Sequence, residues 1–377
     1  MKITRVEVQS ARIPVIRPHP MAIGTTVCQD NVVVKLFTAD GTAGFGEAPH
    51  MVGHSQLGET PHTVRVILRH KLIPAILGHS PLDVEALTGA LDRAVPGNTR
   101  AKGALLMAAY DLGGKMLGVP VHVLLGGLVR DRVPLSWSLP IVPPGDAVEE
   151  GQKMVARGWN IIKIKVGRPN PADDVETVRV VRRELGDAVR LRIDANQAYD
   201  VKTALTVLRG VEPFNIEFFE QPVHRDDLDG MAEVTRQSPI PIMADESAKS
   251  PANLALIARR RAADYVSIYI IGPGGILQSR KMAIIAEAHR MRGYVGGALE
   301  SAIGAAAGLH VAAASPAIDL GCELYGQYML QEDIASQPFD MQDGALIVPQ
   351  QPGLGIEIDE TRLARYREGD VETFTHD

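Results

Sequence analysis

Three acidic residues stand where short apolar runs end. They are Asp194 in Arg192-Ile193-Asp194-Ala195-Asn196, Glu220 in Phe218-Phe219-Glu220-Gln221-Pro222, and Asp245 in Met243-Ala244-Asp245-Glu246-Ser247. A lone acid in such a place commonly caps the helix that follows. Three at matched spacing point elsewhere, because converging carboxylates repel and desolvate one another at a cost of several kcal/mol. A hard divalent cation relieves that conflict. An all-oxygen set without His or Cys suits Mg²⁺ better than Zn²⁺, with Mn²⁺ as a substitute. The second reactive element is Ile162-Lys163-Ile164-Lys165-Val166-Gly167. Strand alternation puts both lysines on one face and both isoleucines on the other. With the isoleucines packed outward on helices, the lysines enter the interior, where a lysine needs a partner or a task. A neighbouring ammonium and a nearby cation both disfavour the charged form, which yields an amine usable as a base near neutral pH. Alternatively the lysines bridge the three carboxylates, which is compatible with catalysis by one of the two.

The elements that must position these groups follow from periodicity. After about residue 130, short apolar runs near 133–139, 161–166, 189–194, 216–220, 240–245, 265–270, 293–299 and 318–324 alternate with amphipathic segments. Lys163, Asp194, Glu220, Asp245, Tyr269 and Glu300 mark the ends of six runs, at separations of 31, 26, 25, 24 and 31 residues. A strand, a helix and two short loops take about that length, so the strands lie parallel. Eight of them point to a closed barrel, whose strand ends and βα loops form the active-site face. Ahead of it, residues 1 to about 45 read as strands with a hairpin at Asp40-Gly41, and 60–118 reads as helical up to Gly118-Val119-Pro120. The expected fold is α/β: a (β/α)7β TIM-type barrel at 126–345 preceded by an α+β capping domain at 1–125. The segment 346–377, irregular in sequence, is expected to pack back on the cap.

Bulk properties exclude several classes. The 377 residues are 45% hydrophobic and 22% charged, ordinary values for a globular protein. The net charge of -6 is spread out and no basic stripe appears, so no nucleic-acid partner is expected. Cys28 and Cys322 resemble no metal or redox pair, in keeping with a reducing cytoplasm. The N-terminal run alternates like a strand and not like a signal peptide. The most apolar stretch, Gly296 to Pro316, contains Glu300, Ser301 and His310, so it reads as a buried helix and no membrane is expected.

Taken in order, the motifs resemble the muconate lactonizing enzyme subgroup of the enolase superfamily. They run from Gly41–Glu47 and Ala104–Lys115 with Asp111, through Leu124-Leu125-Gly126-Gly127 and the lysine and acid motifs, to Gly274-Gly275, Leu299-Glu300-Ser301 and Glu323-Leu324-Tyr325-Gly326. The likeness covers almost the whole chain. It implies that Asp194, Glu220 and Asp245 bind Mg²⁺, that Lys165 is the acid/base with Lys163 easing its deprotonation, and that Glu300 lies at the substrate. Asn196 and Glu323 are further substrate-side residues, although Glu323 also suits a structural role. The substrate is a small carboxylic acid reacting through an enediolate, and symmetric homo-oligomers are common in the superfamily. One departure stands out: aligned on Gly274-Gly275, Tyr269 occupies the position of a lysine that usually serves the opposite face of the substrate. A phenol is a poor base at neutral pH, so cycloisomerisation or dehydration by Lys165 alone is favoured over racemisation. Lys249, read as a solvated loop residue, is the other group available to replace that lysine. A racemase or epimerase using Tyr269 or Lys249, and a non-catalytic metal-binding relative, are the alternatives. The resemblance also places substrate contacts on two mobile cap loops, Pro14–Asp30 with Arg17, His19 and Met21, and Pro49–Pro61 with His50, Met51 and His54. His289 and His310 fall within helices away from the mouth.

Overall fold

The computed structural model describes residues 1–51 and 58–376. Three antiparallel strands open the chain: β1 (Arg5–Met21), β2 (Gly24–Phe37) and β3 (Ala43–Ala48). Four helices follow: α1 (Pro61–Ile67), which runs through a π-helical turn at Leu68–Leu72 into α2 (Ile73–Ile76), then α3 (Val84–Ala94) and α4 (Thr99–Leu117). After α5 (Val121–Leu124) and β4 (Arg132–Pro134), strands and helices alternate. These are β5 (Trp137–Leu139), α6 (Pro144–Ala156), β6 (Ile161–Lys165), α7 (Pro171–Leu185), β7 (Arg190–Asp194) and α8 (Val201–Val211). Then come β8 (Ile216–Glu220), α9 (Leu228–Gln237), β9 (Ile242–Ala244), α10 (Pro251–Arg260) and β10 (Tyr265–Ser267). The series ends with α11 (Ile276–Ala288), β11 (Arg292–Val295), α12 (Ala302–Ala314) and β12 (Ile318–Cys322). The chain returns through α13 (Gly326–Met329), β13 (Met341–Gln342), β14 (Ala345–Ile347) and α14 (Glu360–Arg365) to β15 (Arg367–Thr375).

Strands β5 to β12 form one parallel sheet in sequence order. It curls round until Leu135, just ahead of β5, forms a parallel bridge with Cys322 of β12, and Ser136 N–H donates to the Cys322 carbonyl at 2.9 Å. The expected α/β barrel with its separate antiparallel cap is therefore the observed architecture. Ile162 and Ile164 pack in the main core, which leaves Lys163 and Lys165 facing the barrel interior. All of α12 is buried, and among the described residues no helix is long and apolar enough to cross a membrane.

Three local expectations are corrected. The stretch Pro14–Asp30 is not a loop but the far end of the long β1–β2 ribbon, with His19 opposite Thr26. The tail is not irregular: β15 pairs antiparallel with β1, Arg5 opposite Thr375. The sixth barrel strand is shorter than its apolar run, ending at Ser267, so Tyr269 lies beyond it.

The cap sheet meets α4 through two glycines. A Cβ on Gly46 would stand 2.0 Å from the Ala104 carbonyl oxygen, and one on Gly44 would stand 2.4 Å from that of Ala108. The opposite side of α4 is close but less tight: a Cβ on Gly103 would stand 2.7 Å from Ile271 Cδ1 and 3.1 Å from the Gly275 nitrogen. Backbone cannot yield as a flexible side chain does, so Gly46→Ala is expected to destabilise the protein by about 1–3 kcal/mol or more. Thermal unfolding of Gly46→Ala beside wild type measures this, and an unchanged midpoint would refute it.

Candidate active site

Asp194 and Glu220 are the last residues of β7 and β8 and sit side by side in the ladder, and Asp245 follows β9 directly. None of them caps a helix. The N-caps of α8, α9 and α10 are Asp200, Asp227 and Ser250, whose side chains accept from Thr203, Gly230 and Asn253 N–H. The three strand-end acids instead point inward and are each 1% exposed. Both lysines of β6 reach Asp194, and Lys163 also reaches Glu220. Lys163 Nζ lies 2.5 Å from Glu323 Oε2, 3.0 Å from Glu220 Oε2 and 3.3 Å from Asp194 Oδ2. Lys165 Nζ lies 2.5 Å from Asp194 Oδ2. The lysines thus bridge the carboxylates, and Lys163 has three acidic partners where Lys165 has one.

The charges do not balance. Among the described residues the buried Asp194, Glu220, Asp245, Glu246 and Glu323 outnumber the cations that face them, the buried Lys163 and Lys165 and the half-buried Lys249. Burial pushes the Glu220 carboxyl well above its ordinary range, and Asp194 and Asp245 add to the rise against the pull of Lys163. Asp245 is raised to about 7, chiefly by burial and then by Glu246. Asp194 is held below its usual value because Lys165 and Lys163 together outweigh its burial. Burial works to lower Lys163, but Glu220, Glu323 and Asp194 win and hold its ammonium well above the usual lysine range.

Asp245 Oδ1, Glu246 Oε2, Glu323 Oε1 and Asn196 Oδ1 are buried without a hydrogen-bond partner. Excess buried negative charge, orphaned oxygens and a set of oxygen donors fit a hard divalent cation. Among the described residues no three His, Cys, Asp or Glu side chains stand in a metal-holding arrangement, since Asp194 and Glu220 turn to the lysines instead.

The loops that carry the acids are strained and cross-braced. Asn196, Gln197, Gln221 and Leu299 have positive φ (42°, 71°, 31° and 55°), a conformation costly for non-glycine residues and common at functional sites. Asn196 donates its N–H to Asp194 Oδ1 at 2.8 Å and its amide to Glu246 Oε1 at 3.1 Å. Its described contacts are thus within the acidic cluster. Gln221 Oε1 accepts from Asp245 N–H at 2.9 Å and from Ser247 N–H at 3.2 Å, so it fixes the Asp245 loop. That role was missed, although Gln221 follows Glu220 directly.

Tyr269 and Lys249 come together. Tyr269 Oη donates to Asp245 Oδ2 at 3.3 Å, and Lys249 Nζ stands 5.3 Å from the centre of the Tyr269 ring. Lys249 is half-buried at the mouth, not a solvated loop residue. Burial and the surrounding acids hold the Tyr269 phenol well above its ordinary value, which suits a hydrogen-bond donor and not a base. Glu300 is buried after β11, accepts from Ala298 N–H at 2.9 Å, and is raised to about 7 by burial. Behind it lies a carboxylate that sequence reading left in a hairpin, Glu47 of β3. It accepts from Asn31 Nδ2 (2.8 Å), Ser301 Oγ (2.6 Å) and Gly304 N–H (2.9 Å), which ties the cap to the start of α12.

The tip of the β1–β2 ribbon lies over the lysine side of the mouth. Ile141 N–H donates to the Pro20 carbonyl, and a Cβ on Gly167 would stand 2.8 Å from that of Ala22. His19 is buried there, with Nδ1 3.1 Å from Arg17 Nη1, and Arg17 is also bonded to Glu150. His50 is buried against the Ala48 carbonyl at 3.1 Å and depressed to about 3, first by burial and then by Arg100, so it stays neutral. His54 lies outside the described residues. His310 stacks on His122 and faces the Leu354 carbonyl, and His289 ends α11; neither is at the mouth.

Residues 3–126 match the mandelate racemase / muconate lactonizing enzyme N-terminal domain, and residues 146–362 match the enolase C-terminal domain-like family. The chain belongs to the mandelate racemase / muconate lactonizing enzyme family. It is an enzyme of the enolase superfamily, related to isomerases. It is 33% identical over 367 residues to a chloromuconate cycloisomerase of Cupriavidus necator, covering 97% of this chain and 99% of that protein. It is 34% identical over 367 residues to the N-succinyl-L-Arg/Lys racemase of Bacillus cereus, covering 96% and 97%. The crystal structure of muconate lactonizing enzyme from Pseudomonas fluorescens complexed with muconolactone superposes with a TM-score of 0.94 at 35% identity, over 97% of this chain and 99% of that one.

Proposed function

We propose that this family member is a Mg²⁺-dependent acid/base enzyme that moves the proton α to a substrate carboxylate with Lys165, as a cycloisomerase of the muconate lactonizing type or a dehydratase. The observation that carries the reading is the pair of lysines on β6 bonded to the buried Asp194 and Glu220 that end β7 and β8, with Asp245 buried directly after β9. Asp194, Glu220 and Asp245 are the residues that would hold the cation. When bound, it neutralises the charge that builds on the substrate carboxylate as the proton leaves. Lys165, bonded to a single carboxylate, takes the α-proton in elimination or delivers it in lactonisation. Lys163, pinned by three acids, keeps its charge and orients them. Tyr269 holds Asp245 through its hydroxyl, and Glu300 borders the substrate.

The test is isotope exchange. With Mg²⁺ in D₂O and a panel of carboxylic acids, deuterium is expected to enter the α-position of at least one acid. Absence of exchange, turnover and affinity for Mg²⁺ or Mn²⁺ across the panel would leave a non-catalytic relative.

A second reading is racemisation or epimerisation with a group on the opposite face. It is favoured by the Lys249–Tyr269 contact and by the similarity to the N-succinyl-Arg/Lys racemase. One-face chemistry predicts that Lys249→Met and Tyr269→Phe each retain α-proton exchange within about tenfold. A loss in either variant of about 10²-fold or more, the scale of a general acid or base, accompanied by loss of stereoinversion, would move the assignment to the racemase.

A further inference from the structure

A groove opens at the end of the barrel opposite the mouth, under the starts of β9, β10 and β11, whose other ends lead to Asp245, Tyr269 and Glu300. Its volume is about 970 Å³. Small-molecule sites run from about 300 to 1,000 Å³, so the groove has room for an organic ligand. The largely buried Ile240 and Met291 give it an apolar wall. Five arginines line it against three acids, although the chain as a whole carries a net charge of -6.

Three of the arginines have local partners. Arg236 pairs with Glu233 at 2.7 Å, Arg260 with Asp229 at 2.7 Å, and Arg292 with Asp319 at 3.0 Å. The remaining acid of the groove, Asp264, accepts from Ile242 N–H at 2.9 Å. Among the described residues Arg261 and Arg290 make no ion pair and no side-chain hydrogen bond. Their backbone sets them apart as well. Both take a left-handed φ, 52° and 59°, at the turns that follow α10 and α11, a conformation that strains any residue with a Cβ. The matching turns after α6 and α7 use Gly158 and Gly186, and the one after α8 uses Asn215. Glycine closes such a turn without strain. The helix dipole favours a cation near a C-terminus, but Arg259 and Arg260 already supply that to α10. Two strained arginines thus stand where the same barrel elsewhere uses glycine or asparagine. Tyr265 and Arg292 are partners in the β10–β11 ladder, so the turns ahead of them lie side by side and bring both guanidiniums to one groove.

We propose that this groove binds a small organic polyanion, with Arg261 and Arg290 each holding one of two neighbouring phosphate or carboxylate groups and the Ile240–Met291 wall carrying the body. A guanidinium presents paired N–H donors that match either group. A lone inorganic ion would fill only a small part of the volume, which favours two charged groups on one molecule. The site is separate from the barrel mouth, and the inference stands apart from the proposed function.

Titration calorimetry of the full chain tests it, with EDTA present so that no divalent cation draws anions to the acidic mouth. The probes are ADP and citrate, with adenosine as the uncharged comparison. At least one of the two anions is expected to bind at least about tenfold more tightly than adenosine, and which of them does so separates a phosphate from a carboxylate ligand. Arg261→Gly and Arg290→Gly should each weaken that binding by about tenfold or more, and the double variant should abolish it. Both variants should keep or raise the unfolding midpoint, because glycine relieves the left-handed turn. The groove is ruled out as an anion site if neither anion outbinds adenosine, or if the affinity survives in the double variant. Binding of a polyglutamate peptide alone, with neither small anion retained, overturns the proposal in favour of a protein partner.

Discussion

Lys165→Met is expected to lower α-proton exchange and turnover by about 10²–10⁴-fold while leaving the protein folded. Lys165 has one acidic partner, Asp194, and that carboxylate keeps Lys163 at 3.3 Å and the Asn196 N–H at 2.8 Å when the Lys165 ammonium is gone. Methionine replaces the aliphatic stem, so packing survives and the lost group is the amine. Lys163→Met should behave differently. It removes the common partner of Glu220, Glu323 and Asp194 and strands buried negative charge, which costs about 3–5 kcal/mol. Its signature is a lowered unfolding midpoint, partly restored by Mg²⁺ if the cation takes over the same carboxylates. Isotope exchange at saturating substrate, beside calorimetric unfolding, separates the two variants. Wild-type exchange in Lys165→Met would remove the base from the mechanism.

What the sequence disclosed follows a physical divide. Strand ends were legible because period-two alternation and a pitch near 25 residues leave few ways to arrange Lys163, Lys165, Asp194, Glu220 and Asp245, and the barrel brings all five to one mouth. Groups whose role depends on partners far along the chain stayed hidden. Glu47 meets Ser301 and Gly304 across 254 and 257 residues, and no local pattern announces that contact. The resemblance assigns Pro14–Asp30 to a mobile loop, whereas the chain there forms the β1–β2 ribbon, with a register shift between Pro14 and His19 that accommodates Pro14, Pro18 and Pro20. Lys249 looked solvated because its neighbours Ser250 and Pro251 are a helix start, yet that same turn holds it against Tyr269. The tail strand β15, mostly polar and largely exposed, gave no apolar alternation to read.

Glu47→Gln is expected to be more stable relative to wild type the higher the pH. Burial raises the Glu47 carboxyl to about 8, and Glu300 and Asp333 add to the rise against the hydrogen bonds from Ser301 and Gly304. Between the ordinary value of 4.5 and about 8, the folded protein holds a proton that the unfolded chain has released. Stability from this group is therefore fully present below about 4.5 and is lost as pH rises through about 8. A rise of this size corresponds to a loss on the order of 5 kcal/mol. Glutamine has no proton to lose, so the variant lacks this slope. Its amide can be matched by turning Asn31, whose Oδ1 is buried without a partner. Asp245, also raised to about 7, tilts the stability of both proteins alike and cancels in the difference, whereas Glu300, raised to about 7 and coupled to Glu47, contributes to the same pH-dependent difference. Glu47→Ala should instead destabilise at every pH, by about 1–3 kcal/mol for each donor left buried and unmatched, because it removes the acceptor that ties the cap to α12 beside Glu300. Unfolding midpoints of wild type, Glu47→Gln and Glu47→Ala, compared at several pH values from about 5 to about 9, decide the matter. A difference between Glu47→Gln and wild type that stays flat across that range would mean that Glu47 is ionised throughout, held by its three donors.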